Sequence, residues 1–82
     1  MHYTFVYLLQ SIRNSSKRYT GLSENLGQRL SDHNRGKVAA TAQHCPWEIV
    51  AFVGFKDRAK AVAFEKYLKS GSGHAFANKR LR

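Results

Sequence analysis

Glu65 stands alone as an acid between Arg58 and the end of the sequence, with Lys60, Lys66 and Lys69 close by. One carboxylate is enough to anchor a hydrated Mg²⁺ ion, which keeps most of its waters and needs few protein ligands. The competing reading is a surface i,i+4 ion pair with Lys69. Glu65 borders the apolar positions Phe64 and Leu68, which favours an anchor at the edge of a core. Arg29 and His33 form a second set, four residues apart and on one stripe of a helix. A guanidinium can grip phosphate oxygens and offset charge that builds at phosphorus. An imidazole can contact the same group or move a proton at neutral pH. Against this stands a plain solvated helix face. Tyr7 and Tyr19 form the third set, each inside a strand-like run. Buried tyrosines commonly pack their rings and satisfy the hydroxyl locally. A phenol with a pKa near 10 is too weakly acidic to act as a base at neutral pH, unless nearby cations and a metal-bound water lower it.

These residues are positioned by a short series of elements. Tyr3 to Gln10 alternates Tyr3, Phe5, Tyr7 and Leu9 on one face with Thr4, Val6 and Leu8 on the other. Both faces are largely apolar, so a central strand covered on two sides is expected. The polar turn Ser11 to Ser16 leads to a second, antiparallel strand from Lys17 to Leu22. Gly21 marks a bulge, a bend or a close approach of the backbone. Ser23 caps a helix over Glu24 to His33 whose buried stripe is Leu26 and Leu30, and Asn34 to Gly36 stops it. Lys37 to Cys45 has no periodicity and reads as a loop. Trp47 to Phe55 is dense in β-formers. Asp57 caps a helix from Arg58 to Lys69 with Ala61, Phe64 and Leu68 inward. Ser70 to Gly73 breaks it, and a basic helix from His74 to Leu81 closes the chain. The expected fold is α+β: a three-stranded antiparallel sheet flanked by helices, in the order β-β-α-β-α-α.

Composition narrows the partners. The 82 residues make one small domain, residues 1–82, and carry 14 Lys and Arg against 5 Asp and Glu, a net charge of +9. Such a field selects a polyanion, and nucleic acid is the first expectation. The basic residues are dispersed, and no apolar run approaches the ~20 residues of a membrane span. No membrane role is expected. The N-terminus lacks the pattern of a secretory signal, and Cys45 is the single cysteine, so a cytoplasmic location is expected. Ser70-Gly71-Ser72-Gly73 follows a helix and lacks a Gly-Lys-Ser/Thr ending, so no nucleotide cofactor is expected. His33, His44, Cys45 and His74 lack zinc-site spacing.

Four short segments in order carry a family resemblance: Val6-Tyr7-Leu8-Leu9, Tyr19-Thr20-Gly21, Leu26 to Asn34 (Leu-Gly-Gln-Arg-Leu-Ser-Asp-His-Asn), and Ala63-Phe64-Glu65-Lys66-Tyr67-Leu68. Together they resemble the GIY-YIG nuclease domain, and more narrowly its small single-domain bacterial members. The chain departs from the motif letters at Phe5 and Val6, and at Thr20. The resemblance implies an endonuclease dependent on Mg²⁺ or Mn²⁺ that hydrolyses DNA phosphodiesters by in-line displacement. It implies that Tyr7 activates water, Tyr19 sits near the scissile phosphate and Arg29 stabilises charge at phosphorus. His33 matches a histidine of many members, and Glu65 matches the metal ligand. Asn78 is the one candidate for an asparagine that some members carry. Lys17, Arg18, Arg35, Lys37, Lys69, Lys79 and Arg80 are expected to contact phosphates, which position a strand without reading its sequence. The chain shows no separate DNA-reading module, so low sequence specificity is expected, with DNA shape or a targeting protein supplying selectivity in repair or recombination. The competing classes are a non-catalytic nucleic-acid-binding module and a repair-complex adaptor. Tyr7, Tyr19, Arg29, His33 and Glu65 are expected to converge on one basic, concave face, with both tyrosine hydroxyls opening onto it.

Overall fold

A computed structural model describes residues 2–82. Strand β1 (Thr4–Ser11) lies at the centre of the sheet, between β2 (Arg18–Ser23) and β3 (Trp47–Phe55), and both pairings are antiparallel. The alternation of β1 explains its place. Val6, Leu8 and Leu9 are fully buried and Tyr7 is 1% exposed, so an edge position would leave one apolar face in water. Helices α1 (Leu26–Asn34), α2 (Arg58–Leu68) and α3 (Gly71–Arg80) complete the expected α+β order, with a 3₁₀ turn at Ala42–His44 before β3. No helix among the described residues is long and apolar enough to cross a membrane.

The two faces of the sheet bury different things. Val6 and Leu8 point toward α2 and α3, where Ala61, Leu68 and Ala77 close an apolar core with Leu22, Val50, Phe55, Phe64 and Leu81 around it. Tyr7 and Leu9 point the other way and pack with Trp47, Tyr19, Leu26, Leu30, Cys45 and Ile49. Strand register places Tyr7 directly opposite Gly21 on one side and Phe52 on the other, with Leu9 opposite Tyr19. The register slips between Leu8 and Leu9 against β3, so Val50 is turned to the α2 face while Ile49 stays with Leu9.

Three differences from the sequence reading exceed a one-residue shift of a boundary. Helix α1 begins at Leu26 with Asn25 as its N-cap, accepting from the Gln28 amide. Ser23 is instead used inside the turn, bonding both the amide and the carbonyl of Asn25. Glu24 therefore lies before the helix and pairs with Arg58. Helix α3 begins at Gly71, because Ser70 accepts from the Gly73 amide as a cap. Only Lys69 and Ser70 separate α2 from α3. The segment read as loop contains the 3₁₀ turn and the fully buried Thr41. Helix α1 ends as expected, with Gly36 at a positive φ of 74°, a conformation glycine adopts without a Cβ clash.

Candidate active site

Gly21 gives Tyr7 its position. A Cβ on Gly21 would fall under 3.0 Å from the Oη, Cζ and Cε1 atoms of Tyr7. The phenol ring lies flat across the bare backbone of β2, so its hydroxyl extends from the central strand toward the β2 side of the sheet. There it meets α1. The Tyr7 hydroxyl and His33 Nε2 are 2.8 Å apart, and Arg29 Nε donates to the same Tyr7 oxygen at 3.3 Å. Arg29 and His33 reach one atom because they stand four apart on one stripe of α1.

The proton positions follow from the next bonds outward. His33 Nδ1 is 2.7 Å from Thr41 Oγ1, and that hydroxyl spends its own hydrogen on the Val38 carbonyl. Thr41 can then only accept, so His33 carries its proton on Nδ1 and offers a lone pair at Nε2. The Tyr7 O–H donates to that lone pair, and the Arg29 N–H takes one lone pair of the phenol oxygen. One acceptor lone pair of Tyr7 Oη is left without a protein partner among the described residues.

The surrounding chain holds this line of bonds in place. Trp47 Nε1 donates to the Thr41 carbonyl at 2.8 Å, and Cys45 Sγ donates to the His33 carbonyl at 3.0 Å. Asn34 ties the end of α1 to the start of β3, accepting from the Trp47 amide at 2.6 Å and donating to its carbonyl at 3.1 Å. His33 and Thr41 are both 0% exposed. Burial, and then the nearby Arg29 charge, push the His33 pKa below its ordinary value, so the ring is neutral at pH 7 and free to accept a proton. Burial is also the largest influence on Tyr7 and raises its pKa, outweighing the Arg29 hydrogen bond and charge that lower it. Arg29 thus lowers the phenol pKa as a nearby cation is expected to, and burial raises it by more; Tyr7 is a neutral donor at pH 7, and its basicity depends on His33 taking its proton.

Tyr19 packs its ring against both partners, with centroids 5.0 Å from His33 and 6.4 Å from Tyr7. It also lines a cleft of about 370 Å³ between β2 and α3, together with Arg18, Lys69, His74, Asn78 and Arg82. Tyr7 is not among the cleft residues. The two tyrosines are adjacent but differ in access, which corrects the expectation that both hydroxyls open onto one pocket. Asn78 sits in the cleft and accepts from Arg18 at 2.9 Å.

Glu65 is on α2, across the sheet from α1. Its side chain is 17% exposed and pairs with Lys69 at 2.7 Å, the i,i+4 bond that its spacing allows. Its charge nonetheless reaches Tyr7 and raises the phenol pKa. No cluster of three or more His, Cys, Asp or Glu side chains exists among the described residues. A single carboxylate such as Glu65 is the kind of donor that can anchor a hydrated hard cation, which keeps most of its waters. Of the expected phosphate contacts, Arg18 and Lys69 meet in the cleft. Lys37 pairs with Asp32 at 4.0 Å, and Arg35 is the cap residue at the end of α1. Lys17 is exposed just before β2, and Lys79 and Arg80 are exposed in the last turn of α3. Sequence reasoning missed Thr41, Trp47 and Arg82. Thr41 lies in a stretch without periodicity, so only its contacts reveal it.

The chain is similar in sequence to part of two longer relatives. It is 36% identical over 73 residues to the structure-specific endonuclease subunit SLX1 homolog of Drosophila mojavensis, covering 78% of this chain and 24% of the relative. It is 35% identical over 92 aligned positions to the structure-specific endonuclease subunit SLX1 of Podospora anserina, covering 94% of this chain and 27% of the relative. The chain thus spans about a quarter of each relative's length. Both come from eukaryotes, so they lend no support to the narrower resemblance to bacterial members. The family model of the GIY-YIG catalytic domain matches residues 3–80, nearly the whole of the sheet and helices that hold Tyr7, Arg29 and His33, and the chain belongs to the GIY-YIG family.

Proposed function

We propose that this domain is an endonuclease that hydrolyses DNA phosphodiester bonds, dependent on a divalent cation. The observation that carries the reading is the line of bonds from Thr41 through His33 and Tyr7 to Arg29. A line ending on a phenol with one open lone pair is a means of taking a proton from water. Water bound at Tyr7 Oη passes its proton to the phenol oxygen as the phenol proton passes to His33 Nε2. The water oxygen then bonds to phosphorus as the bond from phosphorus to the leaving oxygen breaks; the leaving oxygen takes a proton from solvent, and His33 returns its extra proton through Tyr7 to solvent. Arg29 offsets charge on the phenol oxygen as the proton moves, and its guanidinium extends the same positive field to a phosphate next to Tyr19. Glu65 would hold Mg²⁺ or Mn²⁺ after releasing Lys69, and the ion would supply Lewis-acid stabilisation of the phosphate oxygens.

The names of the relatives, each a subunit of a structure-specific endonuclease, support selection by DNA shape and a partner protein that directs the domain; a place in repair or recombination is part of the same proposal. Low sequence preference follows if Lys17, Arg18, Arg35, Lys37, Lys69, Lys79 and Arg80 serve phosphate contacts alone. The test incubates the protein with labelled branched, nicked and linear DNAs, with and without Mg²⁺ or Mn²⁺. Metal-dependent cleavage that disappears in Glu65→Gln while binding persists is the expected result. Binding with no cleavage of any substrate would make the domain a non-catalytic nucleic-acid-binding module.

A further inference from the structure

The cleft between β2 and α3 holds a group that the Tyr7 network does not use. Arg82 projects into it, and its Nη1 is buried with no hydrogen-bond partner among the described residues. A buried donor on a cation is costly to leave unmade. The same cleft receives Arg18, Lys69 and His74, and no Asp or Glu lines it. The neighbours do not answer the Arg82 charge. Arg18 spends Nη1 on Asn78, and Lys69 is engaged by Glu65. Burial, and then the Arg18 charge, pull the Arg82 pKa below its ordinary value.

We propose that Arg82 and Arg18 form a phosphate-binding subsite in the β2–α3 cleft, beside Tyr19. Guanidinium groups match the oxygens of a phosphate through paired N–H bonds and bear desolvation better than an ammonium. A cleft of about 370 Å³ has room for a nucleotide unit as well as its phosphate. Thr20 on the same wall supplies a hydroxyl that can donate to a remaining oxygen. Tyr19 joins this subsite to the reacting centre, because one ring touches His33 and lines the cleft. A strand phosphate held here lies next to the one under attack and fixes the strand's register. The subsite rests on the nuclease reading only for the identity of the molecule that carries the phosphate.

The test measures binding without metal, in the presence of a chelator, so that nothing is cleaved. Wild type and Arg82→Gln are titrated with one nicked duplex, made with either a 5′-phosphate or a 5′-hydroxyl at the nick, over a range of salt. For Arg82→Gln the expected result is several-fold weaker binding and a log–log salt slope shallower by about 1, with Arg82→Lys in between. Equal loss on both duplexes identifies a phosphodiester of the strand, and loss confined to the 5′-phosphate duplex identifies a terminal phosphate. Either supports the subsite. Identical affinity and slope for wild type and Arg82→Gln would overturn it. A second measurement needs no variant: inorganic phosphate should shift the Arg82 Nε–H resonance of the wild-type protein, and a resonance that stays fixed to saturation would also overturn it. If wild type cleaves with metal while these effects are missing, the subsite fails and the nuclease reading stands. If the phosphate effects are present without cleavage, the reverse holds.

Discussion

Val6 and Tyr7 are neighbours in one strand and serve opposite sides of the molecule. The side that Val6 and Leu8 face is closed by apolar groups from α2 and α3, and each buried aliphatic side chain there contributes roughly 1.5–3 kcal/mol. The side that Tyr7 faces is closed by α1, and its buried groups include His33 and Thr41 joined in a line of hydrogen bonds. Hydrogen bonds add little net stability per bond, about 0.5–1.5 kcal/mol, but they fix direction. One face of the sheet thus holds the fold, and the other aims a phenol. The single-residue step along β1 lets both roles share one strand without compromise.

Substitutions on the two faces should separate stability from catalysis. Tyr7→Phe keeps the ring over Gly21 and removes the hydroxyl, so turnover should fall by about 10²–10⁴-fold, the range for loss of a general base. The fold should lose only about 1–3 kcal/mol, the cost of leaving His33 Nε2 unpaired. Leu8→Ala should do the opposite, costing about 2–5 kcal/mol while the folded fraction keeps its turnover. Denaturant titration and single-turnover cleavage on both variants would check the pair. Equal losses of turnover from the two would show that the faces are not functionally distinct.

Gly21 is where the comparison can be sharpened, because it belongs to the Tyr7 face yet carries no chemistry. Gly21→Ala should cost about 1–3 kcal/mol through the forced displacement of the Tyr7 ring, and turnover should fall with it. In a Tyr7→Leu background the ring is gone. The same substitution should then be neutral or stabilising by up to about 1 kcal/mol, since alanine restricts the unfolded chain. A double-mutant cycle measures the difference as a coupling energy. Simple additivity would mean that Gly21 is not the seat of the phenol.

The fold was largely legible because alternation and spacing report burial directly. The apolar residues of β1 on both faces marked the central strand, and the Leu26–Leu30 and Ala61–Leu68 spacings marked the inward sides of two helices. Helix starts were less legible. Ser23 and Asn25 both have capping side chains, and only the turn geometry decides which one caps. Ser70-Gly71-Ser72-Gly73 read as a breaker by propensity, yet Gly73 is buried in the first turn of α3, so tertiary packing overrides propensity there. Arg29 and His33 were visible from a spacing of four, but the direction of the protons was not. That direction depends on Thr41, eight residues past His33 in an aperiodic segment, and on whether its hydroxyl has a second carbonyl to satisfy. Lys79 and Arg80 were expected as phosphate contacts and Arg82 was not, although nothing in residue type or spacing separates the three. Burial distinguishes Arg82, and composition does not record it.

The smallest expected effects lie furthest from the phenol, at Thr41 and in the pH response that it governs. Thr41→Val keeps the shape and removes the acceptor from His33 Nδ1–H. The imidazole then gains by moving its proton to Nε2, where it opposes the Tyr7 O–H. Turnover should fall about tenfold or more, within the span that general acid–base groups supply, with KM unchanged and with Thr41→Ser restoring it. Nitrogen NMR of His33 should show the tautomer exchange in Thr41→Val, and a retained Nδ1–H form would break the argument. The pH response has a definite sign. The folded pKa of His33 lies below its ordinary value of about 6.5. As pH falls through about 6.5 the unfolded chain therefore takes up the proton first, and the native state loses stability until the folded pKa is passed. In the wild-type protein the acid limb of kcat/KM should accordingly have its midpoint below about 6.5, because His33 remains neutral and able to accept until then. His33→Gln should flatten the loss of stability between pH 7 and 5 in thermal melts, while removing most of the activity at every pH. An acid limb centred above 6.5 would mean that His33 is not the group that receives the Tyr7 proton.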